Sequence, residues 1–141
     1  MIEKIEEESL YIDKLSELFP KILTSKSVKE DIKNNQFTNY LTYLINGEPV
    51  AFINYYIMYE RAEIININVL EEYQNQKIAS KLLEHMVNEC ISHNVKNITL
   101  EVKETNIKAI HLYEKFGFSK VAVRRKYYQG IDGILMEKEL M

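Results

Sequence analysis

The chain has 141 residues, of which 46% are hydrophobic and four are glycine. This size and composition suit one folded domain with a substantial core and exclude an intrinsically disordered chain, so we expect a single domain spanning residues 1–141. With 18 basic and 21 acidic residues the formal charge is −3. That charge argues against nucleic acid or an anionic membrane as the main partner.

The single cysteine, Cys90, cannot form an intrachain disulfide, which is typical of proteins from reducing compartments. The first ten residues, MIEKIEEESL, are acidic and lack the order of a secretory signal, and no apolar run is long enough to span a membrane. These features predict a cytoplasmic protein. The sequence leaves open whether it is a monomer or a homodimer.

Two helices are predicted in the first third of the chain. Apolar residues recur at helical spacing between Ser9 and Leu23, and the stretch from Val28 to Asn34 favours a second, short helix. From Tyr40 the period changes to two, and the runs YLTYLI and PVAFINYYIMY flank the turn dipeptide Asn46-Gly47, which predicts a β-hairpin. The run EIININV predicts a third strand directly after the hairpin.

A long amphipathic helix follows, because apolar residues from Ile78 to Ile91 fall on one face in a stripe typical of core packing. The run NITLEV is a predicted strand whose alternation sends Glu101 to the face opposite Leu100. The next predicted helix is capped by Asn106 and ends at Gly117, and KVAVRRKYY and GILMEKEL predict two further strands. This order of elements predicts a mixed α/β (α+β) fold around a central, mostly antiparallel sheet.

Two stretches carry residues suited to chemistry. In YQNQKIASKLLEHM a polar loop leads into a helix whose first backbone N–H groups lack partners and can hold a phosphate, although an ordinary connection capped by Asn75 has the same features. In LEVKETNIKAIHLYEKFGF a carboxylate, Glu101, is followed by the capping Asn106 and by a phenol on the helix, Tyr113. Taken singly, these three are better explained as a solvated glutamate, a cap and a core aromatic.

The first stretch resembles the acetyl-coenzyme A pyrophosphate loop of the GNAT superfamily of N-acetyltransferases. That pattern is Arg or Gln, two residues, Gly, any residue, then Gly or Ala; Gln74 and Ala79 match it, whereas Lys77 stands where the pattern has its first glycine. We expect Lys77 to adopt an ordinary φ at the helix start, with its ammonium near the phosphates. We also expect it to weaken coenzyme binding relative to a relative that has the glycine.

The second stretch resembles one branch of that superfamily, the bacterial ribosomal-protein-alanine N-acetyltransferases, through LEV, Asn106, AI, LYE and GF in the same order. The run RRKYYQGIDGILM is similar to the basic, tyrosine-rich and acidic run of the same branch. The resemblance implies a GNAT-like fold with six to seven strands flanked by about four helices. It also implies an enzyme that moves acetyl directly from acetyl-coenzyme A to a primary amine, in this branch the N-terminal α-amine of a ribosomal protein.

The resemblance implies two catalytic residues. Acetyl transfer needs an unprotonated amine, and Glu101 matches the general base of the family; an α-amine, with a pKa near ~8, is easier to deprotonate than a lysine, with a pKa near ~10.4. The thiolate that leaves must be protonated, and Tyr113, a phenol of reference pKa near ~10, matches the general acid.

The resemblance also implies binding residues. Tyr127 and Tyr128 are assigned to acceptor binding. The residues assigned to the coenzyme are Ile67, Asn68, Val69, Gln74, Asn75, Gln76, Lys77, Ile78, Ala79, Ser80, Asn106 and Tyr113.

Several alternatives stay open. The acceptor is either a protein N-terminus or a small amine such as a polyamine, an amino sugar or an amino acid, and Lys77 prompts a third reading, a non-catalytic coenzyme-binding or interaction domain. Arg124 and Arg125 are equally well explained as acceptor contacts or as parts of a solvated strand. No metal is predicted, because His85 and His93 lie eight residues apart and next to no cluster of cysteines or carboxylates at ligand spacing.

Overall fold

A computed structural model describes residues 1–140, apart from the side chain of Tyr127. The elements in chain order are β1 (Ile2–Lys4), α1 (Tyr11–Leu18), α2 (Ser25–Asn34), β2 (Thr38–Ile45), β3 (Glu48–Met58), β4 (Arg61–Val69), a 3-10 turn (Glu71–Tyr73), α3 (Ile78–Ser92), β5 (Asn97–Lys103), α4 (Ile107–Lys115), β6 (Ser119–Tyr128) and β7 (Ile131–Glu139).

The strands form a single sheet in the order β1-β2-β3-β4-β5-β7-β6. Neighbouring strands are antiparallel except β4 and β5, which run parallel. The predicted mixed, mostly antiparallel sheet is therefore confirmed, with seven strands and four α-helices within residues 1–140. Strand β1 was not predicted, because three residues are too few to show a period.

Apolar side chains pack on both faces of the sheet. On one face, the α3 residues Leu82, Leu83 and Met86 are fully buried in a cluster that also contains Tyr113 of α4. Burying each such side chain stabilises the fold by about 1.5–3 kcal/mol. On the other face, α1 and α2 pack against Phe52 of β3. Phe52 and its neighbour Ile53 belong to different clusters because successive strand residues point to opposite faces.

Two predicted turns are confirmed. Asn46 and Gly47 both have positive φ, 52° and 80°, as the tight turn of a two-residue hairpin requires. Gly117, with φ 91°, follows the end of α4. Both positions use the left-handed conformation that glycine and asparagine tolerate best.

The parallel strands β4 and β5 are paired over only part of their length. Their pairing runs from Arg61 opposite Asn97 to Ile64 opposite Leu100 and ends there within the described residues. On the other side of β4, Tyr55 pairs with Ile64 and Asn54 with Asn66, so Ile65 is an extra residue. Such a β-bulge bends its strand. The bulge lies where β4 leaves β5, and the gap between the two strands opens from that point.

Candidate active site

A cavity of about 510 Å³ lies beside the end of β4, past the point where its pairing with β5 stops. Its walls come from the end of β4, the loop before α3, the first turn of α3 and the start of α4. The lining residues are Ile67, Asn68, Val69, Tyr73, Gln74, Asn75, Lys77, Ile78, Ala79, Ser80, Asn106, Lys108, Ala109 and Leu112.

The β4 wall is a strand edge. Ile67 to Val69 pair with β3 on one side, but the pairing with β5 has already ended on the other. A strand edge of this kind presents N–H and C=O groups to an extended ligand. The Gln74 side chain fixes the adjoining loop, because its Nε2 donates a hydrogen bond to the carbonyl oxygen of Val69 at 3.1 Å.

The α3 wall is a helix N-terminus without a side-chain cap. Lys77 is the N-cap residue and makes no side-chain capping bond, and Ile78 to Ser80 line the cavity. The first N–H groups of a helix lack partners within it and carry a partial positive charge. This wall therefore suits an anion.

Lys77 lies in the left-handed region, with φ 64° and ψ 19°. The expectation of an ordinary φ at this residue is wrong. The chain leaves Gln74 in an extended conformation, with ψ 161°, and must turn into a helix within a few residues, and it does so through positive φ at both Asn75 and Lys77. Glycine adopts such a φ without steric cost, which explains the glycine of the family pattern, whereas a side chain there costs about 1–2 kcal/mol.

The α4 wall begins at the predicted cap. The Oδ1 of Asn106 accepts a hydrogen bond from the backbone N–H of Ala109 at 3.2 Å, and Asn106 also lines the cavity. Lys108 brings a second ammonium group, so the cavity is flanked by two lysines. Together with the helix N-terminus and the strand edge, this donor set fits a ligand that has phosphates and an extended chain of amides.

Tyr113 lies on α4 with its side chain buried in the core. It is 5% exposed, and its ring lies against Phe118 with 5.7 Å between ring centroids. Burial raises the pKa of Tyr113 to about 12. The phenol therefore keeps its proton at neutral pH and is able to donate it in a hydrogen bond.

Glu101 lies on the opposite face of β5 from the cluster that contains Tyr113, as the alternation predicted, since Leu100 and Val102 belong to that cluster. Its Oε1 accepts a hydrogen bond from the Tyr128 hydroxyl at 3.4 Å, and its Oε2 lies 3.4 Å from Nε of Arg124. Oε2 is buried and has no hydrogen bond to the described residues. It retains the capacity to accept one.

With this geometry in place, similarity to known proteins decides the family. The sequence profile of the Acetyltransferase (GNAT) family matches residues 3–118. The chain belongs to the GNAT family. The predicted family and fold are thereby confirmed, and the protein is an acetyltransferase.

Individual GNAT relatives agree with the predicted branch. The [Ribosomal protein bS18]-alanine N-acetyltransferase of Escherichia coli strain K12 is 37% identical over 102 residues, which cover 71% of this chain and 69% of the relative. The crystal structure of the ribosomal-protein-S18-alanine N-acetyltransferase from Escherichia coli superposes with a TM-score of 0.86 at 26% identity, covering 99% and 94% of the two chains.

Another GNAT protein shows the shared fold alone. The GNAT family acetyltransferase from Elizabethkingia anophelis, solved with acetyl-CoA bound, has a TM-score of 0.79 at 21% identity and covers 99% of this chain and 97% of its own.

Most of the coenzyme-binding residues expected of a GNAT protein line the cavity; the two that do not are Gln76 and Tyr113. Sequence reasoning missed four lining residues: Tyr73, Lys108, Ala109 and Leu112. The last three lie on one face of α4 just after its cap, so helical spacing counted from Asn106 contained the signal.

Of the predicted acceptor residues, Tyr128 is half-buried and contacts Glu101, and Lys103 Nζ lies 5.3 Å from the centre of its ring. The side chain of Tyr127 lies outside the described part of the structure. The ion pair between Arg124 and Glu101 was not predicted, because the two residues are far apart in sequence and meet only through strand register. The Arg124 side chain is 48% exposed as well as paired, which fits both of the predicted alternatives.

Between positions 1 and 140, no three His, Cys, Asp or Glu side chains come close enough together to hold a metal ion. None of the helices in that part of the chain combines the length and the apolar character that a membrane crossing needs.

Proposed function

We propose that this GNAT protein is an acetyl-coenzyme A-dependent N-acetyltransferase of one domain that acetylates the N-terminal α-amine of a protein. The acceptor we propose is a ribosomal protein that begins with alanine, by analogy with the Escherichia coli relative. The observation that carries the proposal is the cavity beside the end of β4, with its strand edge, uncapped helix start and two lysines.

Different residues of the cavity suit different parts of the coenzyme. The N–H groups of Ile78 to Ser80, with Lys77 and Lys108, suit the phosphates, and the edge of Ile67 to Val69 suits the amides of an extended chain. When bound, acetyl-coenzyme A supplies the acetyl group as a thioester. Asn106 holds the start of α4 in place beside it through its capping bond.

Glu101 is the proposed base. An α-ammonium group has a pKa near ~8, so removing one proton from it at neutral pH costs little free energy. A carboxylate can take that proton directly or through a water molecule. The amine nitrogen then carries the lone pair needed for attack on the thioester. A lysine side chain, near ~10.4, would ask roughly two further pKa units of the same carboxylate.

Tyr113 is the proposed acid, and its raised pKa defines how it acts. A thiol has a reference pKa near ~8.5, so complete transfer of a proton from a phenol of pKa about 12 to a thiolate is uphill by roughly 5 kcal/mol. Tyr113 therefore donates a hydrogen bond to the sulfur as negative charge develops there, and the thiolate that leaves takes its proton from solvent.

The test compares acceptors and variants. We expect turnover, followed as thiol release and by the mass of the product, with a peptide that begins with alanine. We expect none with the same peptide already acetylated at its N-terminus, nor with a polyamine, an amino sugar or a free amino acid. Glu101→Gln and Tyr113→Phe should each lower kcat by about 10²–10⁴-fold while acetyl-coenzyme A still binds.

Tyr59→Phe is the matched control, because Tyr59 is 80% exposed and lies outside the cavity. Turnover with free small amines but not with the peptide would show that the acceptor is a small molecule and would contradict the proposed protein acceptor. Coenzyme binding without turnover of any amine would contradict the enzyme assignment for this site.

A further inference from the structure

The last hairpin, β6 and β7, surrounds the carboxylate of Glu101. Tyr128 donates to Oε1 at 3.4 Å, Arg124 lies 3.4 Å from Oε2, and Gly133 lies directly beneath the carboxyl group. In the sheet, Gly133 is the register partner of both Arg124 on β6 and Lys103 on β5. We call Arg124, Tyr128 and Gly133 the carboxylate cradle.

Gly133 leaves space that Glu101 occupies. A β-carbon built on Gly133 would lie 2.8 Å from Oε2 and 3.2 Å from Cδ of Glu101, and 3.1 Å from Cε2 of Tyr128. Contacts under 3.0 Å force something to move, and here the group that would move is the carboxyl group itself. Gly133 lies outside the left-handed region of φ, so its backbone conformation does not require a glycine.

Gly130, in the turn of the same hairpin, has the opposite properties. Its φ is 91°, and a β-carbon there would meet no atom within 4 Å. Alanine at Gly130 would therefore strain the turn without displacing Glu101. Alanine at Gly133 would displace Glu101 without straining the backbone.

Tyr128 holds the other side of the carboxylate. Its hydroxyl occupies Oε1, and its ring is covered by the ammonium of Lys103 at 5.3 Å from the centroid. Arg124 holds Glu101 less firmly, because its side chain is 48% exposed and an exposed ion pair is weak. Of the three cradle residues, Tyr128 thus contacts Oε1 by a hydrogen bond, Gly133 leaves room for Oε2, and Arg124 adds an exposed ion pair.

We propose that Tyr128 and Gly133 are positioning residues for the Glu101 base: the Tyr128 hydroxyl holds Oε1, and the missing side chain of Gly133 lets Oε2 sit where it accepts the proton. The proposal rests on the proposed function, which assigns the base role to Glu101. The proton passes from the nitrogen of the acceptor amine to Oε2, the oxygen without a hydrogen bond to the described residues, and afterwards to solvent.

The test measures kcat, the KM for a peptide that begins with alanine, and the affinity for acetyl-coenzyme A. We expect Gly133→Ala and Tyr128→Phe each to lower kcat by about 10 to 100-fold, because a displacement of about 1 Å costs rates of that order. The affinity for acetyl-coenzyme A should stay within about twofold. Gly130→Ala and Tyr59→Phe are the matched controls and should keep the kcat of the unchanged protein.

A double substitution separates positioning from a general structural role. Once Glu101→Gln has removed the base, adding Gly133→Ala should lower kcat no further, because the two changes disable the same step. If the double variant is instead slower than Glu101→Gln by the full factor of Gly133→Ala, Gly133 acts independently of Glu101 and the proposal is overturned.

The remaining outcomes are also decisive. If Glu101→Gln loses turnover while Tyr128→Phe and Gly133→Ala keep full kcat, the proposed function stands and the positioning roles are wrong. If Glu101→Gln keeps full kcat, the base assignment itself fails, and the positioning roles fail with it. Should Gly133→Ala not fold, as judged by circular dichroism, Tyr128→Phe decides alone, and an unchanged kcat in that variant overturns the proposal.

Discussion

Lys77 has two opposing effects at the scale of one residue. Its backbone adopts φ 64°, which strains any residue that has a β-carbon, while the positively charged residue lines a cavity suited to phosphates. Because the backbone already follows the path a glycine would take, the N–H groups at the start of α3 keep their direction. The side chain therefore adds charge at the expense of stability.

Replacing Lys77 with glycine should stabilise the fold. We expect Lys77→Gly to raise the free energy of unfolding by about 0.5–1 kcal/mol, the relief of left-handed strain less the extra freedom of glycine in the unfolded chain. Urea denaturation measures the change. The control is Lys29→Gly in the middle of α2, where the same substitution should lower the stability by roughly 1 kcal/mol. Equal losses in both variants would contradict the strain at Lys77.

At the scale of elements, two helices start with the same kind of cap but lie in different surroundings. Thr24 caps α2, where its Oγ1 accepts from the N–H of Ser27 at 3.1 Å, and Asn106 caps α4 with a bond of 3.2 Å. The α2 cap lies on the other side of the molecule's sheet from α3, whereas Asn106 lines the cavity. Comparing the two caps therefore distinguishes an effect on helix stability from an effect on ligand binding at the cavity.

Loss of either cap should destabilise the protein, but only one loss should affect the coenzyme. Thr24→Ala and Asn106→Ala should each lower the free energy of unfolding by about 1 kcal/mol. Only Asn106→Ala should also weaken the affinity for acetyl-coenzyme A, measured by calorimetric titration. Equal affinities in the two variants would remove Asn106 from the coenzyme site.

The elements show how far local sequence determines the fold. Long periodic segments were predictable: Leu82, Leu83, Met86 and Cys90 are fully buried on α3 as their spacing indicated, although Ile91, at the end of the same stripe, is 55% exposed. The φ of Lys77 and the pair of Arg124 with Glu101 were not, because a loop path and a strand register depend on distant parts of the chain. Core positions within one regular element were thus easier to predict than the loop backbone and the contacts between strands distant in sequence.

At the scale of the whole molecule, several tyrosine hydroxyls and the cysteine thiol are buried in their protonated, uncharged form. Burial raises the pKa of Tyr113 to about 12 and that of Cys90 to about 12. The pKa values of Tyr40 and Tyr55 are raised further, first by burial and then by the carboxylates of Asp31 and Glu89. The native state therefore holds protons that the unfolded chain releases near pH 9 to 10.

The sign of the pH dependence follows from those shifts. A group whose pKa is raised on folding contributes its stability below its unfolded pKa and loses it as the pH rises towards its folded pKa, at about 1.4 kcal/mol per pH unit. We expect the free energy of unfolding, measured in urea, to fall steadily above pH 10. Tyr113→Phe should reduce that slope by about 1.4 kcal/mol per unit up to about pH 12, the folded pKa of Tyr113. An identical slope with and without Tyr113 would show that its phenol titrates normally.

The two faces of β5 have a consequence for how this protein can change over evolutionary time. Even-numbered positions such as Leu100 and Val102 hold the core on which α4 and the coenzyme wall rest, while the proposed base, Glu101, points the other way. Substitutions of side chains on the odd-numbered face of β5 therefore do not touch that core cluster, to which β7 contributes Ile134 and Met136. Under the proposed function, a lineage can change the amine it accepts through one face of β5 while the face that supports the coenzyme wall stays the same.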